Sequence, residues 1–529
     1  MKKYILSIVV VLCGLLFSTV YLNDKFSAKV FSLFYWKQNN KILLNNTVIN
    51  TFFKKNPNLK TCQSDVLLLY QSRKYIPIWH TENSLIPLAK ELHDKMNSLN
   101  EEGITTPIPH KNKLDLIFKK NSTSNLSPTD TELLLSSYYI FYVQHVFYGI
   151  DSGNFKPLNW FIPRKTISYK QFLDSILSKP QLLDKDENFQ LDQYYKLRTA
   201  LKKHLEIEKK GDWQPIQTDS TIVEYKLNDS SKTIGQIRHR LTITGDLKQD
   251  SKSNVYDNEL LAGILHYKKR NGYTLNHQIT SSHIYLMNIP IEKHIKTIRA
   301  NMERCRWISP ETTKSEEYII INIPSYKLIY VKNGKTILES NIFVGKSITE
   351  TAIFKDSISH IILNPYWNIP KNIVDGELRI AMEKDKNYLN ANDMERHNGI
   401  IRQKPGKKNP LGQLKFMFPN IYAIYLHDSP SKSLFQSEYR ALSHGCINMD
   451  KAKELALLLL KNDPEWPIER IENTLKENQE TKCILKKKIP IYIGYFTAWV
   501  NDSGEIGFYN DIYERDERLI NLLNTENKN

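Results

Sequence analysis

The feature that most constrains this chain is a change of hydrophobic period near residue 318. Before it, apolar residues recur at helical spacing. After it, β-branched and aromatic residues crowd into short runs bounded by turn residues. One uniform architecture cannot satisfy both periods. The 529 residues therefore predict a multidomain α+β protein, mainly helical first and mainly β later, with length for about three domains.

In the helical part, apolar positions fall at Leu67–Tyr70, Leu85–Met96 and Leu133–Tyr148. The last run contains Ser136, Ser137, Gln144 and His145, and is short for a membrane span. It predicts a buried core helix opened by Ser127-Pro128, after a polar connector over 121–131. His145 reads as a satisfied core histidine. Residues 230–290 predict a separate three-helix unit. Ile234, Ile237 and Leu241 share a face that ends at Gly245. Asp257 caps a helix carrying Leu260, Leu261, Ile264 and Tyr267, which stops at Gly272. A third element, Ser281–Asn288, ends before Pro290. A connecting helix puts Ile291, Ile295, Ile298, Met302 and Cys305 on one stripe, which makes Cys305 a packed thiol.

In the β part, Tyr318–Ile323, Tyr326–Val331 and Thr336–Val344 predict strands, the last two joined by a tight Asn333-Gly334 turn. Ile358–Leu363 and Ile421–Leu426 predict two more. Between them, residues 377–412 are polar and Lys-rich and predict a lid-like surface excursion.

The N-terminus bears on compartment. Lys2 and Lys3 precede an uncharged run, Tyr4–Leu22, of 19 residues. A helix of that length reaches about 28 Å, close to a bilayer core. The expectation is an uncleaved anchor with the remainder exported, and Phe31, Phe34, Tyr35 and Trp36 at the membrane interface. Export argues against a nucleic-acid partner. A formal charge of +16 admits an anionic polymer or membrane instead. The five cysteines, Cys13, Cys62, Cys305, Cys446 and Cys483, contain no CxxC pair and make no disulfide scaffold.

The chemistry concentrates in Ser443-His444-Gly445-Cys446-Ile447-Asn448. An amphipathic helix with Ala452, Leu455, Ala456 and Leu459 on one face follows, capped by Asn448 or Asp450. Cys446 is thus expected at or just before a helix N-terminus, where the dipole favours a thiolate. Gly445 lets a substrate approach the backbone, and its N–H with that of Cys446 would form part of an oxyanion hole. His427, in Tyr425-Leu426-His427-Asp428, is the expected base. His444 is the rival, better placed to orient the loop or the substrate. Two blander readings compete: a buried structural cysteine beside surface histidines, and a zinc site of His427, His444 and Cys446 that lacks a fourth ligand. No metal or cofactor is expected.

His427, fifteen intervening residues and then Ser-His-Gly-Cys-Ile-Asn resemble the active-site motif of L,D-transpeptidases with a YkuD-type catalytic domain. Asn364–Pro370, Leu411–Phe416, Phe418-Pro419-Asn420 and Tyr425–Pro430 are similar to that family's surrounding segments. Leu69-Tyr70 through Ile78-Trp79, Asp257–Pro290, Tyr495–Val500 and Asp511-Ile512-Tyr513 resemble the large YcbB-type branch. The likeness covers about residues 60 to 525.

The resemblance implies an anchor at 1–25, a helical scaffold at 45–225 and a peptidoglycan-binding-like module at 230–290. It implies a catalytic domain at 315–485 carrying the 377–412 insertion, and an extension at 486–529 packing on the scaffold or the catalytic domain. It further implies an exported enzyme on the periplasmic side of the inner membrane, acting on peptidoglycan stem peptides. Cys446 would be the nucleophile, forming a thioester with release of D-Ala and yielding 3-3 cross-links. His427 would be base and then acid, and the Asp428 carbonyl would orient it. Tyr425, Arg440, Ser443 and Asn448 are candidate substrate-binding residues. Asn448 stands where many members of the branch have Arg, and Thr351-Ala352 where relatives often have Thr-Pro. An L,D-carboxypeptidase, a lipoprotein-attaching transpeptidase and a non-catalytic peptidoglycan-binding scaffold remain alternatives. Acceptor, oligomeric state and any cysteine pairing stay open.

Overall fold

Side-chain caps and prolines set the helix starts, as the pattern at Ser127-Pro128 illustrates. In the computed structural model, described for residues 42–82, 84–119, 126–150, 159–165, 168–178, 189–218 and 223–526, the Ser127 hydroxyl accepts from Asp130 N at 3.0 Å and Pro128 occupies the first turn. The expected anchor at 1–25 and residues 121–125 of the connector lie outside the described residues. Among the described residues no helix is long and apolar enough to cross a membrane.

The chain forms two compact units, one of residues up to 148 with 166–186, the other of 149–165 with 187 onward. The first holds helices α1 (Asn46–Lys55), α2 (Gln63–Ser72), α3 (Pro87–Asn97), α4 (Lys111–Phe118), α5 (Pro128–Val143) and α6 (Tyr169–Ser178). Every residue of α5 from Thr131 to Val143 is buried, so its all-round apolar character serves a protein core. The buried Glu132 carboxylate accepts from Tyr70 Oη (2.7 Å), from Ile78 N, from Trp79 N (3.1 Å) and contacts His80 Nδ1 (2.7 Å). These bonds replace the water the carboxylate loses. His145, in the π-helical turn after α5, places Nδ1 2.8 Å from the Phe141 carbonyl and stacks on the Phe141 ring at 4.0 Å.

The second unit begins with α7 (Asp192–Lys210) and the three-helix module. The module comprises β1 (Glu224–Tyr225), α8 (Lys232–Thr244), α9 (Asn258–Asn271), β2 (Ile279–Thr280) and α10 (Ser281–Met287). Gly245 and Gly272 end α8 and α9 in the left-handed conformation, and the Asp257 carboxylate accepts from Leu260 N at 2.9 Å. The connecting helix α11 (Ile291–Trp307) buries the expected stripe, Cys305 included, and packs along α7. Helix α7 therefore shares a core with the second unit, although the expected scaffold boundaries contain it. A cavity of about 260 Å³, lined in part by His204, Trp213, Arg240, Tyr267, His294 and Phe508, lies between α7, the module and a C-terminal hairpin. It contains none of the motif residues.

The β part is a nine-stranded sheet in the order β12-β5-β13-β11-β10-β6-β14-β3-β4. Its strands are β3 (Glu317–Asn322), β4 (Lys327–Lys332), β5 (Lys335–Gly345), β6 (Phe354–Leu363), β10 (Leu414–Met417), β11 (Leu426–His427), β12 (Ala441–Ser443), β13 (Ile447–Met449) and β14 (Thr481–Gly494). Strand β4 also pairs with β5, so the sheet closes on itself. Asn333 (φ 51°) and Gly334 (φ 71°) make the β4–β5 turn, and two positive φ values in succession suit the twist of a two-residue hairpin.

The excursion is more ordered than its polarity suggests. Strands β7 (Trp367–Asn368), β8 (Met394–His397) and β9 (Ile400–Gln403) form a separate sheet in the order β7-β9-β8, starting before the expected residue 377. Ile369, Ile373, Leu378, Met394 and Ile401 give it a small apolar core of its own. Helices α12 (Ala452–Leu460) and α13 (Ile468–Lys476) precede β14. Strand β14 runs across the 485–486 boundary expected for the catalytic domain and pairs with both β6 and β3. The hairpin β15 (Ala498–Val500) and β16 (Ile506–Phe508) and helix α14 (Arg515–Glu526) follow. Arg304 donates to the Asp516 carboxylate at 2.6 Å, which ties α14 to α11. Cys62, Cys305 and Cys483 are buried free thiols.

Candidate active site

Strand alternation builds the site. Leu414, Phe416, Leu426 and Ile447 are buried in the core. Their neighbours therefore point to the opposite face of the sheet. Lys415 of β10 is the register partner of His427 of β11, and His427 in turn partners Asn448 of β13. The β11–β13 pairing is parallel, and Ile447 N donates to the Tyr425 carbonyl at 3.1 Å. That register puts Cys446 beside Tyr425. Lys415, Tyr425, His427, Cys446 and Asn448 thus share one face. The expected strand Ile421–Leu426 is shorter than its apolar run: only Leu426–His427 is strand. Asn420 Oδ1 accepts from Tyr422 N (3.1 Å) and Ile424 N (3.0 Å), and this side-chain turn replaces the ladder.

His427 is oriented from behind. Its Nδ1 lies 2.6 Å from the Asp428 carbonyl oxygen. A carbonyl only accepts, so Nδ1 carries the proton and Nε2 keeps its lone pair. Burial holds the imidazole pKa down to about 4, helped by the Lys415 charge and opposed by the Asp428 carbonyl. The Asp428 side chain is engaged elsewhere, accepting from Gln413 N (3.0 Å) and Lys432 Nζ (2.9 Å). Gly412 permits that clasp. Its φ is +62°, and a Cβ there would stand 2.3 Å from Asp428 Oδ2.

The cysteine environment departs from expectation. Strand β13 follows Cys446 directly, and α12 begins only at Ala452, after Lys451, with no side-chain cap from Asn448 or Asp450. The residues 447–449 satisfy their backbone in the sheet instead, so no helix dipole acts on the sulfur. Burial raises the Cys446 thiol above its ordinary value. Hydrogen bonds from the Tyr425 backbone and side chain, and then the Lys415 charge, oppose that rise without cancelling it. The resting pair is a neutral thiol and a neutral imidazole.

The turn before Cys446 is knotted by hydroxyls. Ser443 Oγ donates to the Cys446 carbonyl (2.6 Å) and accepts from Gly445 N (3.1 Å). The Gly445 N–H expected at an oxyanion is therefore already used. Cys446 N–H has no acceptor among the described residues. Gly445 has φ +113°, a conformation that L side chains rarely adopt. Thr351 Oγ1 donates to the Gly445 carbonyl (2.9 Å) and accepts from Gly345 N (3.0 Å). Tyr513 Oη accepts from Thr351 N (3.2 Å) and donates to the Gly345 carbonyl (2.6 Å).

Of the remaining candidates, Asn448 is buried on the site face and His444 is exposed. Arg440 is not brought into the site. It is buried, donates to the Ser437 carbonyl at 2.7 Å and lies 5.1 Å from the centre of the Tyr326 ring. Its proximity in sequence misled because β12 turns its side chain toward the loop that precedes it. Lys415, Thr351 and Tyr513 were missed as site residues. A lysine alternating with Leu414 and Phe416 was the legible signal for the first. The other two act through long-range contacts that carry no local signature.

Residues 316–468 match the family model of the YkuD L,D-transpeptidase catalytic domain, and residues 64–201 match that of a scaffold domain. A Haemophilus influenzae protein described as a putative L,D-transpeptidase is 34% identical over 225 residues, 39% of this chain and 45% of the relative. The match thus spans less than half of that relative's length. Among solved structures, an L,D-transpeptidase from Stackebrandtia nassauensis is 13% identical with a TM-score of 0.22, covering 53% of this chain and 97% of that one. One from Mycobacterium smegmatis is 12% identical with a TM-score of 0.19, covering 34% and 58%.

Proposed function

We propose that this chain, which carries a YkuD-type L,D-transpeptidase catalytic domain joined to a scaffold domain, is a peptidoglycan L,D-transpeptidase working through Cys446. The carrying observation is the parallel β11–β13 pairing, which sets Tyr425 and His427 against the Cys446 strand while Asp428 fixes the imidazole.

His427 Nε2 accepts the thiol proton as Sγ attacks the carbonyl of the third stem residue. Because both partners rest neutral, the thiolate forms as it reacts. The Cys446 N–H supports the oxyanion in place of the expected Gly445 N–H. His427 then protonates the departing D-Ala amine. The thioester is attacked by a side-chain amine of a neighbouring stem, giving a 3-3 cross-link without nucleotide energy. Stem peptides lie outside the cytoplasm, which agrees with an N-terminal anchor and a periplasmic catalytic domain. The three-helix module at 230–290 would hold the polymer.

Full-length protein incubated with disaccharide-tetrapeptides tests this reading by product mass. Cross-linked dimers lacking one D-Ala, absent with Cys446→Ala, are expected. Tripeptides alone would make the enzyme an L,D-carboxypeptidase. Unchanged substrate with either protein would leave a non-catalytic scaffold. A carbapenem should add its mass to the wild-type chain and not to Cys446→Ala.

A further inference from the structure

A cysteine nucleophile needs its thiolate stabilised, and the usual device, a helix N-terminus, is absent here because β13 follows Cys446. Burial acts in the wrong direction. Something else on this face must favour the anion.

Lys415 is the cation in position. It sits on the site face of β10, register-paired with His427. Its Nζ lies 3.8 Å from the centre of the Tyr425 ring. The β11–β13 register sets Cys446 beside Tyr425, with the sulfur 3.9 Å from the Ala423 carbonyl two residues before that tyrosine. Half-buried and without an ion pair among the described residues, the ammonium is held below its ordinary pKa by burial, and the Cys446 and Glu480 charges oppose that fall. A cation over an aromatic face draws on the ring's electrons, which makes the ring beside Cys446 a better neighbour for an anion. The lysine thus acts twice, by its own field and through the ring it covers.

The other charged groups do not replace it. His427 from β11 rests neutral. His360 from β6, held neutral by burial, and Lys482 from β14 lie on the far side of Lys415. Glu480 bears on Lys415, and its carboxylate accepts from Tyr366 N at 2.7 Å. His444, in the cysteine's own turn, is exposed. Asp428 is bound to Gln413 N and Lys432.

We propose that Lys415, acting through the Tyr425 ring, is the positioning residue that stabilises the Cys446 thiolate. The proposal rests on Cys446 being the nucleophile. Its test needs no peptidoglycan. The full-length protein is alkylated with iodoacetamide across a range of pH, and the mass of the Cys446 peptide is followed; the other described cysteines are buried. Lys415→Met should move the rising limb to higher pH, lowering the rate at a fixed pH about tenfold for each unit of displacement. Lys415→Arg should restore the limb. In the unaltered protein, anionic iodoacetate should gain on neutral iodoacetamide relative to a free thiol, and salt should erase the gain. A Lys415→Met profile superimposed on wild type overturns the proposal, as does an unaltered protein with no preference for iodoacetate. The second arm decides the matter if Lys415→Met fails to fold. Missing cross-linked product beside a Lys415-dependent profile would overturn the transpeptidase reading and leave this assignment standing.

Discussion

Single residues set the acid limit of this site. In the proposed reaction His427 must be neutral to accept the thiol proton, and burial keeps it neutral until the pH falls to about 4. The acid limb of kcat/KM should therefore lie near pH 4, with fluorescence confirming a folded chain at each point. A limb near 6.5, the ordinary histidine value, would sink the burial argument. Thr351 offers a second check. It is fully buried and serves Gly345 N and the Gly445 carbonyl at once. Thr351→Val leaves both groups unsatisfied, at about 1–3 kcal/mol for each buried polar group. The urea midpoint should drop and Cys446 alkylation should lose its site-specific rate. An unchanged midpoint would mean that water replaces the hydroxyl.

At the scale of elements, two glycines separate a fold requirement from a site requirement. Gly334 lies in the β4–β5 turn, with open space where a Cβ would go. Gly334→Ala should cost about 1 kcal/mol through its positive φ and leave activity intact, because the turn is at the far end of β5 from Gly345. Gly412→Ala has nowhere to put its methyl group except into the Asp428 carboxylate. It should displace Asp428, release the His427 ring and lower kcat well over tenfold, with a smaller change in Tm. Equal effects of the two substitutions on kcat would contradict the clasp. The elements themselves were largely readable in advance. Ser127, Asp257, Gly245, Gly272 and the Asn333-Gly334 turn all carry local chemistry that acts as read. The misreadings came where distant strands overrule local pattern. Asn448 and Asp450 look like caps, yet β5 and β11 recruit residues 447–449 into the sheet. The 377–412 excursion looks polar because its core is only a few residues. His427 and Cys446 were legible because their types and spacing are unusual; Thr351 and Tyr513 were not, because a threonine and a tyrosine are ordinary until the chain brings them together.

The whole molecule should lose stability toward acid for reasons unrelated to catalysis. Burial holds His204 down to about 4 and His294 down to about 3, and both rings pack against Phe508 at the cavity wall. An unfolded chain takes up protons at these histidines below about 6.5, whereas the folded chain refuses them until about 4. Their contribution is fully present above pH 6.5 and is lost as pH falls toward 4. Each histidine contributes a slope on the order of 1 kcal/mol per pH unit there. Urea midpoints measured from pH 7 to 4 should fall more steeply in wild type than in His204→Gln/His294→Phe. Parallel curves would remove the histidines from the account. The Tyr513 bridge has a consequence of another kind. The turn bearing Cys446 depends on a hydroxyl some seventy residues later in the chain, and β14, which fills the middle of the sheet, is also made after that turn. A nascent chain that has delivered only as far as the cysteine has no finished barrel and no brace behind Gly345. Cys446 is thus synthesised before the strand and the hydroxyl that brace its turn, so the order of translation itself withholds the finished site until the chain through Tyr513 has left the ribosome.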